Sequence, residues 1–205
     1  IRKFVLYLLS CNVAEIMIVG LASVANAPLP IRPLQILFLN LVTDVFPALA
    51  LGVGEGDPHI MERPPRDPEE PILTRHHWGV ITGYSALITA AVLAVLAIAL
   101  TSLGMAQDRA VTLSFLTLAF AQLWHVFNMR DPDASVIRND VTQNPYVWGA
   151  LALCIALLIA AVYVPFLANL LGVVNPTLEG WALVIGASFV PLILGQIGQA
   201  LGIQA

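Results

Sequence analysis

Six stretches of this 205-residue chain are apolar for about the length of a bilayer-crossing helix, which takes roughly 17–25 residues. They lie at 4–25, 34–53, 78–100, 110–127, 146–170 and 178–201. Inside lipid there is no water to satisfy backbone groups, so only helices or closed barrels can span. Segments of this length, without strand alternation, select helices. Charged residues make up only 11% of the chain against about 25% in soluble domains, and mean hydropathy is +0.85. The expectation is an all-α membrane protein of six transmembrane helices, a single domain over 1–205.

The linkers between these stretches carry breaker residues, as in "NAPLPIRP", "TSLGMAQDR" and "LGVVNPT". Basic residues set the orientation. With the N-terminus inside, Arg2, Lys3, Arg63, Arg66, Arg75, Arg130 and Arg138 are cytoplasmic, and only Arg32 and Arg109 face outward. Both termini are then cytosolic. The longest linker, 54–77, is charged and proline-rich, so it is stiff and not regularly helical. It reads either as a solvated connector or as a docking arm for a cytosolic domain.

A net charge of −4 with scattered cations points to no nucleic-acid partner. Cys11 and Cys154 fall in apolar segments, where a thiol behaves as a small hydrophobe and no disulfide framework is implied. Gly79 with Gly83, and Gly198 with Gly202, have the spacing of helix-contact pairs. Trp78, Tyr146, Trp148 and Trp181 lie near span ends, where aromatic belts form. The opening "IRKFVLYLLSC" lacks the cleavage site of a signal peptide, and its start within an apolar helix is expected of a piece of a longer protein.

Of thirteen acidic residues, eleven lie in linkers or at span ends, and the two exceptions are Glu15 and Asp44. A carboxylate at the centre of a membrane helix costs about 2.5–3.5 kcal/mol on insertion scales, so each marks a functional position. In "CNVAEI", Asn12 and Glu15 share a helical face, and in "FLNLVTDVFPALALG" so do Asn40, Thr43 and Asp44. Two such faces turned together offer only oxygen ligands, the set a hard cation such as Ca²⁺ takes, and not the N/S set of Zn²⁺. Pro47 leaves the Thr43 carbonyl without its helical partner, and unwound carbonyls at membrane depth can ligate ions. Asn12, Asn40 and Thr43 serve equally well as interhelical glue. In "LAFAQLWHVFNMRD", Gln122 can turn an amide oxygen to the same cavity or simply pack. His125 reads as a core or interfacial histidine, and Asn128 stays unassigned.

Taken together, "SCNVAEI", "LFLNLVTDVFPALALG" and "DPHIMERPPRDPEEPIL" resemble the C-terminal membrane half of type II P-type ATPases, the calcium-pump branch. The resemblance equates the six spans with that family's helices five to ten. It implies cation ligation by Asn12 and Glu15 from the fifth helix, by Asn40, Thr43 and Asp44 from the sixth, and by Gln122 from the eighth. Gln stands at this last position in plasma-membrane calcium pumps, and Glu in reticulum ones. The implied cargo is Ca²⁺, with Mn²⁺ or a monovalent cation as alternatives and protons as counter-ions. ATP and Mg²⁺ would act only through an absent N-terminal half, with its actuator, phosphorylation and nucleotide domains touching the 54–77 linker. This chain alone, lacking the family's DKTGT, TGE and PEGLP motifs, is expected not to hydrolyse ATP. The implied setting is a bacterial-type plasma membrane. Two other classes stay open: an ion-coupled secondary transporter using Glu15 and Asp44, and a non-catalytic membrane subunit.

Overall fold

The computed structural model describes residues 2–54, 72–131 and 134–201. Among these the chain is helical throughout, with no strand. Helix α1 (Arg2–Val24) is followed by α2 (Pro33–Leu39), a π-helical turn (Asn40–Asp44) and α3 (Val45–Val53), which together make the second span. Next come α4 (Arg75–Ala97), extended by a second π-turn (Ile98–Ser102), and α5 (Gln107–His125), which tightens into a 3₁₀ turn (Val126–Met129). Helices α6 (Pro145–Tyr163), α7 (Pro165–Leu171) and α8 (Thr177–Ala200) complete the bundle. Six helical spans are long and apolar enough to cross a bilayer, and the protein is an integral multi-pass membrane protein. Most of the proline-rich linker, 55–71, lies outside the described residues, as does Gly202.

Local chemistry sets the helix ends. Asn144 caps α6, its side-chain oxygen accepting from the Tyr146 amide at 2.9 Å, with Pro145 in the first turn. Gly172 ends α7 with φ +62°, a left-handed conformation that glycine adopts at no steric cost. The fifth apolar stretch, 146–170, is not one helix. Pro165 forces the preceding Val164 to ψ 115°, out of the helical region, and the chain turns there into α7.

The bundle is organised around α5. The most apolar window of that span is 89% buried inside the protein, whereas no other exceeds 44%. Helices α4 and α8 pack on α5, α1 packs on α4, and α3 lies between α1 and α6. A helix this enclosed meets protein on every side, so the polar side chains it carries face other helices and not lipid. One end of the bundle joins Lys3 to Asp140 at 2.6 Å and Asp131 at 3.6 Å, while the other joins Arg32 to Asp108 at 2.7 Å.

Of the glycines the sequence spacing singles out, Gly79 makes no close helix approach, whereas two glycines outside those pairs do. A Cβ at Gly79 would meet nothing within 4 Å, but one at Gly180 would lie 2.8 Å from Leu113. One at Gly195 would lie 2.7 Å from both Tyr84 and Asn128. Alanine should therefore act with opposite sign at two helical glycines. Gly195→Ala is expected to lower stability by about 1–3 kcal/mol through overpacking. Gly79→Ala is expected to raise it by about 0.5–1 kcal/mol through helix propensity. Thermal unfolding of the detergent-solubilised protein measures both.

Candidate cation site

The break in the second span creates the site. Proline at 47 has no amide to give the Thr43 carbonyl, and the turn just before it loosens from α to π geometry. Freed carbonyls in lipid need other donors, and neighbouring helices supply them. The Thr43 carbonyl accepts from the Tyr7 hydroxyl of α1 at 2.9 Å. The Val42 carbonyl accepts from the Cys154 thiol of α6 at 3.1 Å, so this buried cysteine is a donor as well as a hydrophobe. The Thr43 carbonyl is thus already partnered, and the oxygens left open around it belong to side chains.

Five of the six sequence candidates are joined across three helices. Asn12 donates from Nδ2 to the Leu8 carbonyl at 2.8 Å and to Asp44 Oδ2 at 3.4 Å. Gln122 of α5 donates from Nε2 to Glu15 Oε1 at 3.0 Å, and its Oε1 lies 2.9 Å from the Thr43 hydroxyl. That hydroxyl also stands 3.0 Å from the Leu39 carbonyl, and its single proton serves one acceptor at a time. Glu15 is 5% exposed, Asp44 2% and Gln122 0%. A hydrogen-bonded arc therefore runs from Glu15 through Gln122 to Thr43, and another joins Asn12 to Asp44.

Two oxygens in this neighbourhood have no partner although water cannot reach them: Asp44 Oδ1 and Asn40 Oδ1. They project from one turn of the broken span. An unpaired buried carboxylate oxygen costs more than an unpaired neutral group, about 1–3 kcal/mol or above. A hard cation satisfies several such oxygens at once, so the donor set fits Ca²⁺-type ligation. Among the described residues no three His, Cys, Asp or Glu side chains converge, so the site depends on amide and hydroxyl oxygens.

His125 stands apart from this ring. It is fully buried, stacked 5.9 Å from the Tyr7 ring and edge-on to the Tyr84 ring at 4.5 Å, with Nδ1 3.3 Å from Asn128 Nδ2. Tyr7 was not among the sequence candidates. It lies two turns before Glu15 on the same buried stripe of α1, with Cys11 between them.

A helical membrane bundle enclosing two carboxylates and a set of amide and hydroxyl oxygens defines the class: an integral membrane domain with a candidate cation centre between its helices. The chain belongs to the family described as "Cation transporting ATPase, C-terminus", which it matches over residues 28–201. It is 39% identical over 198 residues to "Calcium-transporting ATPase" of Bacillus subtilis, covering 95% of this chain and 22% of that protein. It is 34% identical over 211 residues to "Calcium-transporting ATPase 1" of Bacillus cereus, covering 96% and 24%. Over 78 residues it is 46% identical to "P-type sodium-transporting ATPase4" of Toxoplasma gondii, covering 38% of this chain and 6% of that one. The chain thus spans less than a quarter of the length of these relatives.

Gln122 is the keystone of the longer arc. Gln122→Leu leaves the Glu15 carboxyl and the Thr43 hydroxyl without it, and should lower stability by about 1–3 kcal/mol. Thr82→Val, at an exposed position of α4, should change it by under about 0.5 kcal/mol. Equal losses of melting temperature in the two variants would remove Gln122 from the arc.

Proposed function

We propose that this chain is the cation-binding membrane part of an ATP-driven pump whose cargo is Ca²⁺. The observation that carries this reading is the oxygen cluster on α1, the broken span and α5, where Asp44 Oδ1 and Asn40 Oδ1 have no partner. The names of the Bacillus relatives support the choice of ion. Asn12, Glu15, Asn40, Thr43, Asp44 and Gln122 act as ligands. The two carboxylates balance the two charges of the ion, and the amides and hydroxyl complete an oxygen shell.

The same balance describes release. When the ion leaves, two carboxylates remain in an apolar bundle, where uncompensated charge costs several kcal/mol. Protons taken up by Glu15 and Asp44 remove that cost, which makes counter-transport of protons the natural return step. ATP and Mg²⁺ act in cytosolic domains of the whole pump, outside this chain. The 54–77 linker couples those domains to the span ends, and both ends of the chain face the cytosol of a bacterial-type cell. A monovalent cargo is the second reading, favoured by the 46% identity to a sodium-transporting ATPase over 78 residues.

The test is phosphorylation from ATP by the full-length protein in membranes, wild type beside Asp44→Asn and Glu15→Gln. Phosphorylation stimulated by micromolar Ca²⁺ in the wild type and abolished in both variants is the expected result. Stimulation by Na⁺ or Mn²⁺ in place of Ca²⁺ would correct the ion and keep the site. Indifference to every cation would overturn the pump in favour of a secondary transporter or a non-catalytic subunit.

A further inference from the structure

We propose that Tyr7 is the positioning residue of this site: its single hydroxyl proton, shared between two carbonyls that lack backbone amides, fixes Thr43 and Gln122 against each other. The inference rests on the cation-pump reading for its function, and on contacts across three helices for its geometry.

Two carbonyls in the bundle lose their helical donors for unrelated reasons. The Thr43 carbonyl loses one because residue 47 is proline. The Gln122 carbonyl loses one because α5 tightens there into its 3₁₀ turn. The Val126 amide, four residues on, bonds the Leu123 and Trp124 carbonyls and not that of Gln122. The Tyr7 hydroxyl lies 2.9 Å from the first carbonyl and 3.2 Å from the second, and Tyr7 is fully buried. One phenol, its proton shared between the nearer Thr43 carbonyl and the Gln122 carbonyl, thus spans the backbones of two helices at the points where each has come undone.

The residues so bridged are those whose side chains meet, Thr43 Oγ1 and Gln122 Oε1 at 2.9 Å. Gln122 in turn holds Glu15. Ligating groups must be held to within about 0.5 Å of their working positions by neighbours that are themselves fixed. Tyr7 meets that requirement: its ring stacks against His125, its Cα lies on the helix that carries Asn12 and Glu15, and an aromatic side chain has few rotamers. It needs no contact with the cation, because it acts through the main chain of two residues that would make one.

A buried tyrosine that merely packs would predict something different, and phenylalanine separates the two. Tyr7→Phe keeps the ring against His125 and removes only the bridge. In the full-length protein we expect the half-saturating Ca²⁺ for phosphorylation to rise roughly tenfold, with maximal phosphoenzyme unchanged. Tyr84→Phe is the matched control. It removes a second buried phenol that packs on the same histidine and bonds Gln199 at 2.9 Å, and it should leave half-saturation in place. Ca²⁺ protection of the purified protein against thermal unfolding gives a second readout that does not require ATP, and it should shift by the same factor. An unshifted Tyr7→Phe, or an equal shift in Tyr84→Phe, would overturn the positioning role while leaving the pump intact. A wild type that shows Ca²⁺ protection without cation-stimulated phosphorylation would overturn the pump, and the protection curves would still decide on Tyr7. Absence of both responses to any cation would overturn both.

Discussion

A helix in a bilayer is obliged to satisfy its own backbone, and the rest of this structure depends on the one place where the second span fails to do so. Pro47 removes the donor of the Thr43 carbonyl, the preceding turn loosens, and side chains of other helices reach the Thr43 and Val42 carbonyls. The cost of leaving such groups bare in lipid is several kcal/mol each. Neighbouring helices are drawn in to supply donors: Tyr7 from α1, Cys154 from α6. The close approach of α1 that places Asn12 against Asp44 is the same approach that brings Tyr7 to Thr43. Proline alone does not produce this. Pro191 sits inside α8, and that helix runs on without a π-turn. At 47 the proline follows "NLVTD", whose polar side chains give the broken segment a reason to stay open.

The second requirement is that two carboxylates share a dry interior without facing each other bare. The amides resolve it. Asn12 and Gln122 each place an N–H on one carboxylate, and hydrogen bonds to charged groups are worth about 1.5–3 kcal/mol, more than neutral ones. Amides suit this place because each has both a donor and an acceptor end. Gln122 uses both, the nitrogen toward Glu15 and the oxygen toward Thr43. A glutamate in its position would bring a third carboxyl and no N–H, so this chain's choice of glutamine keeps the negative charge at two.

Sequence reasoning reaches the class of fold and the residues that matter because both rest on simple exclusions. Six apolar runs leave a membrane chain few forms, and two acids among apolar residues stand out whatever their neighbours. It stops where an outcome depends on another helix. The Thr43 carbonyl reads in sequence as an open ligand, and only the arrival of Tyr7 from 36 residues away closes it. Gly79 has the spacing of a contact, but nothing faces it, and Gly195 with no such pairing touches Tyr84. The bend at Val164 was visible in "YVPF", since the residue before proline avoids the helical region, yet the apolar run through it masks the signal. Tyr7 has the composition of any aromatic core residue, and its stripe on α1 is its one sequence trace.

The helices that carry the candidate ligands are also fastened to one another outside the site, and magnitudes rank the fastenings. The 3₁₀ turn after α5 leads into the segment ending at Asn144, and this segment reaches both α1 and α3. Lys3 pairs with Asp140 and Asp131 where all three are substantially exposed, and such pairs contribute about 0–1 kcal/mol. Asn144 is different: its Nδ2 donates to the Ala50 carbonyl at 2.8 Å in a buried setting while its oxygen caps α6. A Cβ at Gly54 would come within 3.0 Å of that nitrogen, so the end of α3 is shaped to receive it. Buried and bonded at both ends of its amide, Asn144 fixes α3 to α6 more firmly than the ion pairs fix α1. The broken span is therefore held beyond its break by Asn144 and at the break itself by Tyr7 and Cys154. The turn bearing Asn40 and Asp44 lies against the latter pair. Its two unpartnered oxygens are open within a frame whose own hydrogen bonds are already made.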